Sequence, residues 1–317
     1  MCNMNISLSQ SVLPPDLVHL PVITAQRWLQ VGRGEEFPTM EGAVFGADNS
    51  LFCAHRTKPW TDILRISSDK NIEIFYHDDD AVIIGLAIHK DGRVFAADIN
   101  GRLLVISPNG KLERDLFECD SSKTYRPNDL AFDMRGNIYF SDFIGTESNL
   151  TGGIYRLDAK EDYREIVPVA GDLCTPNGVA FSPDYSVLWT SESLRNNVIR
   201  IELGENGFKT AHFSSQMAVY HNQGYPHVDS CKTDAEGNVY MAIMQGGRAL
   251  VLNSSGIPVA NILLEDRDDM TCIMSTNLAL KPGTDEAFIL SSGKAGAWIY
   301  KFKALTLCAP LYSEVTI

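Results

Sequence analysis

The sequence predicts an all-β fold, a six-bladed β-propeller with four-stranded antiparallel blades, from three observations. One pattern recurs six times: a short apolar strand, a polar turn and a second apolar strand. Its copies begin at Ala43, Leu86, Leu130, Val179, Cys231 and Leu278, with spacings from 43 residues (Ala43 to Leu86) to 52 (Val179 to Cys231). Four short strands with their turns fill such an interval. Long segments of 3.6-residue apolar period are absent, which disfavours a helical solenoid.

The elements follow in order. The hairpins read "AVFGADNSLFCA", "LAIHKDGRVFAA", "LAFDMRGNIYFS", "VAFSPDYSVLWTS", "CKTDAEGNVYMA" and "LALKPGTDEAFIL". Third strands fit "DILRIS", "RLLVIS", "GGIYRLD", "NVIRIEL", "RALVLN" and "AWIYKF", and more polar fourth strands fit "IEIFYH", "YREIVPV" and "VANILL". The stretch "VITAQRWLQVG" is expected to add the outer strand of the last blade and close the ring, with the C-terminal "PLYSEVTI" as its rival. Residues 1–317 read as one domain, with 1–17 as an irregular N-terminal arm.

Composition narrows the partners. The chain has 27 Lys+Arg against 40 Asp+Glu, a formal net charge of −13, and no basic run. That surplus repels nucleic acid and acidic membrane surfaces, so a small-molecule substrate is the expected partner; the oligomeric state is left open. Seven scattered cysteines without a CxxC argue against a zinc cluster or a disulfide framework and for a reducing compartment. Pro14, Pro15, Asp16 and His19 interrupt the N-terminal apolar stretch, so neither a signal peptide nor a membrane span is read and the expected location is the cytoplasm.

Function is read from one position of the repeat. The residues two places before each repeat start are Glu41, Ile84, Asn128, Asn177, Asp229 and Thr276. The first strand of each propeller blade lines the central channel, so these positions form a ring at one mouth. Four of them, Glu41, Asn128, Asn177 and Asp229, carry carboxylate or carboxamide oxygens. A turn explains any one Asn or Asp before a strand; a shared hard cation explains the four together. Calcium takes 6–8 oxygen ligands of these types. Magnesium and manganese fit as well, and zinc is disfavoured by the absence of His and Cys from the ring. Asp142 ends the strand paired with the one that Asn128 begins, so it faces the same mouth.

These segments resemble the senescence-marker-protein/gluconolactonase/luciferin-regenerating superfamily of six-bladed propellers, and most nearly its drug-responsive staphylococcal lactonase branch. The resemblance covers residues 35 to 305 and is carried by "MEGAVF", "RPNDLAFDMRGNIYFSDFIGTESNLTGGIYRL", "TPNGVAFSPDYSVLWTSES", "PHVDSCKTDAEGNVYMA" and "GRALVLNSSGIPVANILL". It implies a catalytic divalent metal, commonly calcium, on Glu41, Asn177 and Asp229, with Asn128 beside the metal or substrate and Ser230 following the metal-bound Asp. It further implies a substrate contact at Arg126 and a catalytic role for Asp142. A second, structural metal in some relatives matches Asp133, where a turn aspartate is the plainer reading. One departure is Ala43, where the family often has Pro after "EG".

The expected reaction is hydrolysis of a lactone. The metal polarises the ester carbonyl, and Asp142 or Asp229 takes a proton from the attacking water. The planar fork of Arg126 suits either a polar substituent or carboxylate of the substrate or a structural surface ion pair. His227 fits a proton shuttle, a substrate contact or a structural histidine at the rim, and Tyr225 an apolar wall of the mouth. The alternative is a metal-dependent isomerase, cyclase or lyase using the same site.

Overall fold

Among the described residues, apolar runs broken by Gly- and Asp-containing turns fold into 24 strands. The computed structural model describes residues 13–32, 38–57, 59–117 and 124–314. Most of the expected N-terminal arm, residues 1–12, lies outside them. Strand β1 spans Val22–Gly32. The first four-stranded sheet is β2 (Thr39–Phe45), β3 (Leu51–Thr57), β4 (Trp60–Ile66) and β5 (Ile72–Asp78). The second is β6 (Ile83–Ile88), β7 (Val94–Asp98), β8 (Arg102–Ile106) and β9 (Leu112–Asp115). The third is β10 (Pro127–Phe132), β11 (Ile138–Asp142), β12 (Gly152–Leu157) and β13 (Ile166–Leu173). The fourth is β14 (Pro176–Phe181), β15 (Val187–Glu192), β16 (Asn197–Glu202) and β17 (Gln216–His221).

The remaining strands correct the expected count of six separate blades. They are β18 (His227–Thr233), β19 (Val239–Met244), β20 (Arg248–Leu252), β21 (Pro258–Leu264), β22 (Met274–Leu280), β23 (Glu286–Gly293) and β24 (Gly296–Lys303). With β1 they form one eight-stranded sheet in the order β18-β19-β20-β21-β1-β24-β23-β22. A further pairing, Met244 with Met274, joins β19 to β22, so seven of these strands make a closed circuit. The architecture is therefore four propeller-like sheets of four strands plus this fused unit. The cause is β1, which uses both edges. Val22–Ala25 pair in parallel with Asn261–Leu264 of β21, and Gln26–Gly32 pair antiparallel with β24. "PLYSEVTI" forms no strand among its described residues; Tyr312–Glu314 is a single 3-10 turn.

The first strands of the quartets, β2, β6, β10, β14, β18 and β22, touch one another in a closed cycle around a central channel. They are largely buried, whereas β5, β9 and β17 at the outer edges have no buried residue and are exposed or half-buried throughout. The layers between sheets are filled from facing strands, as where Phe95, Phe132, Phe140, Tyr163 and Tyr312 pack together. Burial of each such ring contributes about 1.5–3 kcal/mol to stability. Among the described residues no helix is long and apolar enough to cross a membrane. The five described cysteines, Cys53, Cys174, Cys231, Cys272 and Cys308, are free and buried.

Every inner strand carries a register shift at the same place: Glu41/Val44, Ile83/Gly85, Pro127/Leu130, Pro176/Val179, Val228/Cys231 and Ser275/Asn277. Such a bulge re-aims side chains and leaves a backbone group without its ladder partner. Serines of the second strands take up the freed groups. Ser141 accepts the Asp129 N–H at 3.1 Å and donates to the Asn177 carbonyl at 2.5 Å. Ser191 accepts the Gly178 N–H at 3.0 Å and donates to the Asp229 carbonyl at 2.6 Å. Neighbouring inner strands approach too closely for side chains at two bulges. A Cβ on Gly85 would sit 2.1 Å from the Asn128 carbonyl oxygen, and one on Gly178 would sit 2.6 Å from the Cys231 nitrogen.

Candidate active site

The bulges place the polar residues of the inner strands at the end of the channel where those strands begin. Asp229, on β18, is buried at 4% exposure. The Asn177 amide and the Ser230 N–H are close enough to favour its charged form. Glu41 is on β2, and the nearby Asn277 amide favours its charged form. The residue is of intermediate exposure, yet protein atoms surround the carboxyl closely. Burial pushes the Asp229 carboxyl up to about 7, helped by the charge of Asp129 and opposed by Asn177 and Ser230. Burial, then the charges of Asp229 and Asp129, hold Glu41 well above the ordinary carboxylate range. A smaller opposing pull comes from Arg56, whose Nε donates to Thr39 Oγ1. Among the described residues no Lys or Arg forms an ion pair with Glu41 or Asp229.

Asn177 completes this set. Its Nδ2 donates to Ser193 Oγ at 3.2 Å, while its buried Oδ1 has no hydrogen-bond donor. Two buried anions with raised proton affinity and an unclaimed amide oxygen are what a hard cation would satisfy. Among the described residues no three His, Cys, Asp or Glu side chains gather closely enough to hold a metal by themselves. The donor set here mixes two carboxylates with an amide.

The other expected residues are placed differently. Asn128 stands at the equivalent point of β10 and is 7% exposed, but no hydrogen bond joins its side chain to Glu41 or Asp229. Ser230 is fully buried and accepts from Asn277 Nδ2 at 2.8 Å. Asp142 is fully buried, and its Oδ1 accepts the Arg126 N–H at 2.8 Å, fastening the start of β10. Asp98 and Glu192 do the same in the sheets on either side, accepting the N–H of Val82 and of Cys174 at 2.9 Å. The Arg126 and Tyr225 side chains are exposed at this rim. His227 is half-buried beside them, and burial lowers its imidazole pKa. Asp133 accepts the N–H groups of Arg135 and Asn137, both at 2.9 Å, and so shapes the β10–β11 turn.

Residues 41–281 match the SMP-30/Gluconolactonase/LRE-like region. The chain belongs to that family. A lactonase drp35 from Staphylococcus saprophyticus is 32% identical over 305 residues, 93% of this chain and 92% of its own length. A gluconolactonase structure from Xanthomonas campestris superposes with a TM-score of 0.68 at 17% identity, covering 90% of this chain and 98% of that one. Regucalcin from Agrobacterium tumefaciens, a calcium-binding protein, superposes with a TM-score of 0.69 at 16% identity, covering 92% and 99%. At such identities the two superpositions show a shared fold.

Three residues of the site escape the ring alignment: Asp129, Asn277 and Lys232. Asp129 and Asn277 each lie one place beyond a ring position, and the bulges turn them toward the same space. An apolar cavity of about 570 Å³ opens at the opposite end of the inner strands, lined by Val44, Ala87, Ala131, Ala180, Ala279 and Tyr312 among others. Its charged lining residues are Lys232 and Asp184, and it holds none of the expected site residues.

The electrostatics have a measurable consequence. A carboxyl raised in the folded state binds more protons there than in the unfolded chain, so stability falls as pH rises. The benefit is complete below about pH 4, where unfolded carboxyls also hold their protons, and is lost as pH rises through the folded value. In a chelating buffer, this pair is expected to lower the melting temperature as pH rises from about 5 to about 7.5. Excess calcium should flatten that slope. Thermal scans across pH with and without calcium check it; an identical slope in both would contradict the arrangement.

Proposed function

We propose that this chain opens lactones as a divalent-metal-dependent hydrolase. One observation carries the reading: the Glu41 and Asp229 carboxylates face the channel without an ion-pair partner, beside the unclaimed Asn177 Oδ1. Glu41, Asn177 and Asp229 would hold the cation, with Asn128 and Ser230 beside it. Calcium is preferred because every donor is a hard oxygen; magnesium and manganese come next. The bound cation supplies Lewis-acid polarisation of an ester carbonyl.

The protein groups do the rest. Asp142 takes the proton of the attacking water, its buried carboxylate being held by the Arg126 N–H. Asp229 is the weaker base, since a cation beside it lowers its proton affinity. The exposed Arg126 guanidinium offers a planar fork to a polar substituent of the substrate. His227 and Tyr225 flank the entrance. Membership of the family and the lactonase relative support ester chemistry over the other reactions such a site permits.

Aliphatic and aromatic lactones incubated with the purified protein should release acid, followed by pH-stat, in calcium buffer. Turnover should stop in chelator and return when calcium is restored. Silence across the whole panel in calcium would reject the proposal.

A further inference from the structure

Below the proposed cation ligands lies a charged pair that the reaction does not use. Asp129 and Lys232 have side chains 1% and 18% exposed, and Lys232 Nζ lies 3.4 Å from Asp129 Oδ2. The same oxygen accepts the Val179 N–H at 3.3 Å, so Asp129 links β10 to β14 and β18 across the channel. Lys232 also lines the apolar cavity at the far end, so the pair stands between the cavity and the carboxylate mouth. The Asp129 charge acts on both Glu41 and Asp229, yet these carboxylates do not gather closely enough for all three to ligate one ion. Three carboxylates against one ammonium give the cluster a formal charge of −2.

We propose that Asp129 and Lys232 are positioning residues that set the charge of the cation site, Asp129 strengthening its hold on cations and Lys232 limiting the total to what a divalent ion neutralises. The inference rests on the cation reading of Glu41, Asn177 and Asp229. It specifies a selectivity: a site of formal charge −2 in a low-dielectric channel favours a divalent ion, and a more negative one shifts toward trivalent ions.

Calorimetric titration of Ca2+ and Tb3+ into the metal-free protein tests it, with Asp129→Asn, Lys232→Met and the double variant. Near-ultraviolet circular dichroism confirms that each is folded. Asp129→Asn should weaken Ca2+ binding by about tenfold or more, because a full charge is removed close to the ion. Lys232→Met should raise the preference for Tb3+ over Ca2+ by about tenfold for the same reason. The double variant restores the formal charge of −2 without the ion pair, and should recover most of the Ca2+ affinity lost in Asp129→Asn. A double variant no better than Asp129→Asn, or a Lys232→Met protein with an unchanged Tb3+ to Ca2+ ratio, would overturn the proposal. If Asp129→Asn does not fold, the ratio in Lys232→Met decides alone. Failure of the unaltered protein to bind Ca2+ would strike the cation reading itself, a separate result.

Discussion

Asp229→Ala is expected to abolish calcium binding and lactone opening together. The substitution removes one of the two carboxylates of the channel mouth, while the Asn177 amide keeps its bond to Ser193 Oγ. Loss of the Lewis acid should cost at least about 10³ in kcat/KM, or about 4 kcal/mol of transition-state stabilisation. Stability should move the other way. In the metal-free protein, burial and the charge of Asp129 penalise the Asp229 carboxylate once pH rises past about 7, so its removal relieves that cost. The variant is expected to melt at a higher temperature than the parent in chelator and to gain nothing from added calcium. Calorimetry and thermal scans read both effects. Full turnover by a variant that binds no calcium would reject the metal mechanism.

Asp142→Asn should separate catalysis from architecture. The Asn side chain keeps an oxygen to accept the Arg126 N–H, so the start of β10 stays fastened. What it loses is the ability to take a proton. A fall in kcat of about 10² to 10⁴ is expected, with KM and calcium affinity little changed. Asp98→Asn is the matched control, because Asp98 holds the Val82 N–H in the same way in the neighbouring sheet. Its turnover should remain within a few-fold of the parent. Equal losses in both variants would assign Asp142 to strand fastening alone.

The hairpin repeat was readable because each copy alternates apolar residues around a Gly- or Asp-containing turn, and those runs became the inner and second strands. Glu41, Asn177 and Asp229 came forward as candidates for the same reason: one offset from the repeat start puts them at equivalent places on the inner strands. Asp129 and Asn277 were not. A strand with strict alternation points neighbours to opposite faces, and only the bulges bring Asp129 and Asn277 to the side already occupied by the ring. Asp142 was readable as a carboxylate at the mouth. Its likeness to Asp98 and Glu192 depends on which backbone N–H each accepts, and residue spacing does not carry that information. The blade count failed where a contact was least local. Nothing in "VITAQRWLQVG" announces that its first four residues would join β21 while the rest joins β24.

That divided strand also governs the order of assembly. During synthesis β1 leaves the ribosome early and finds neither mate, since Asn261–Leu264 and Ala297–Lys301 emerge late. Its two edges therefore stay open while most of the protein is made, a situation that invites pairing with another nascent chain. The four self-contained sheets can form as they emerge, but the clasp must wait for the last strands. Completion of the fold is expected to wait for this closing latch.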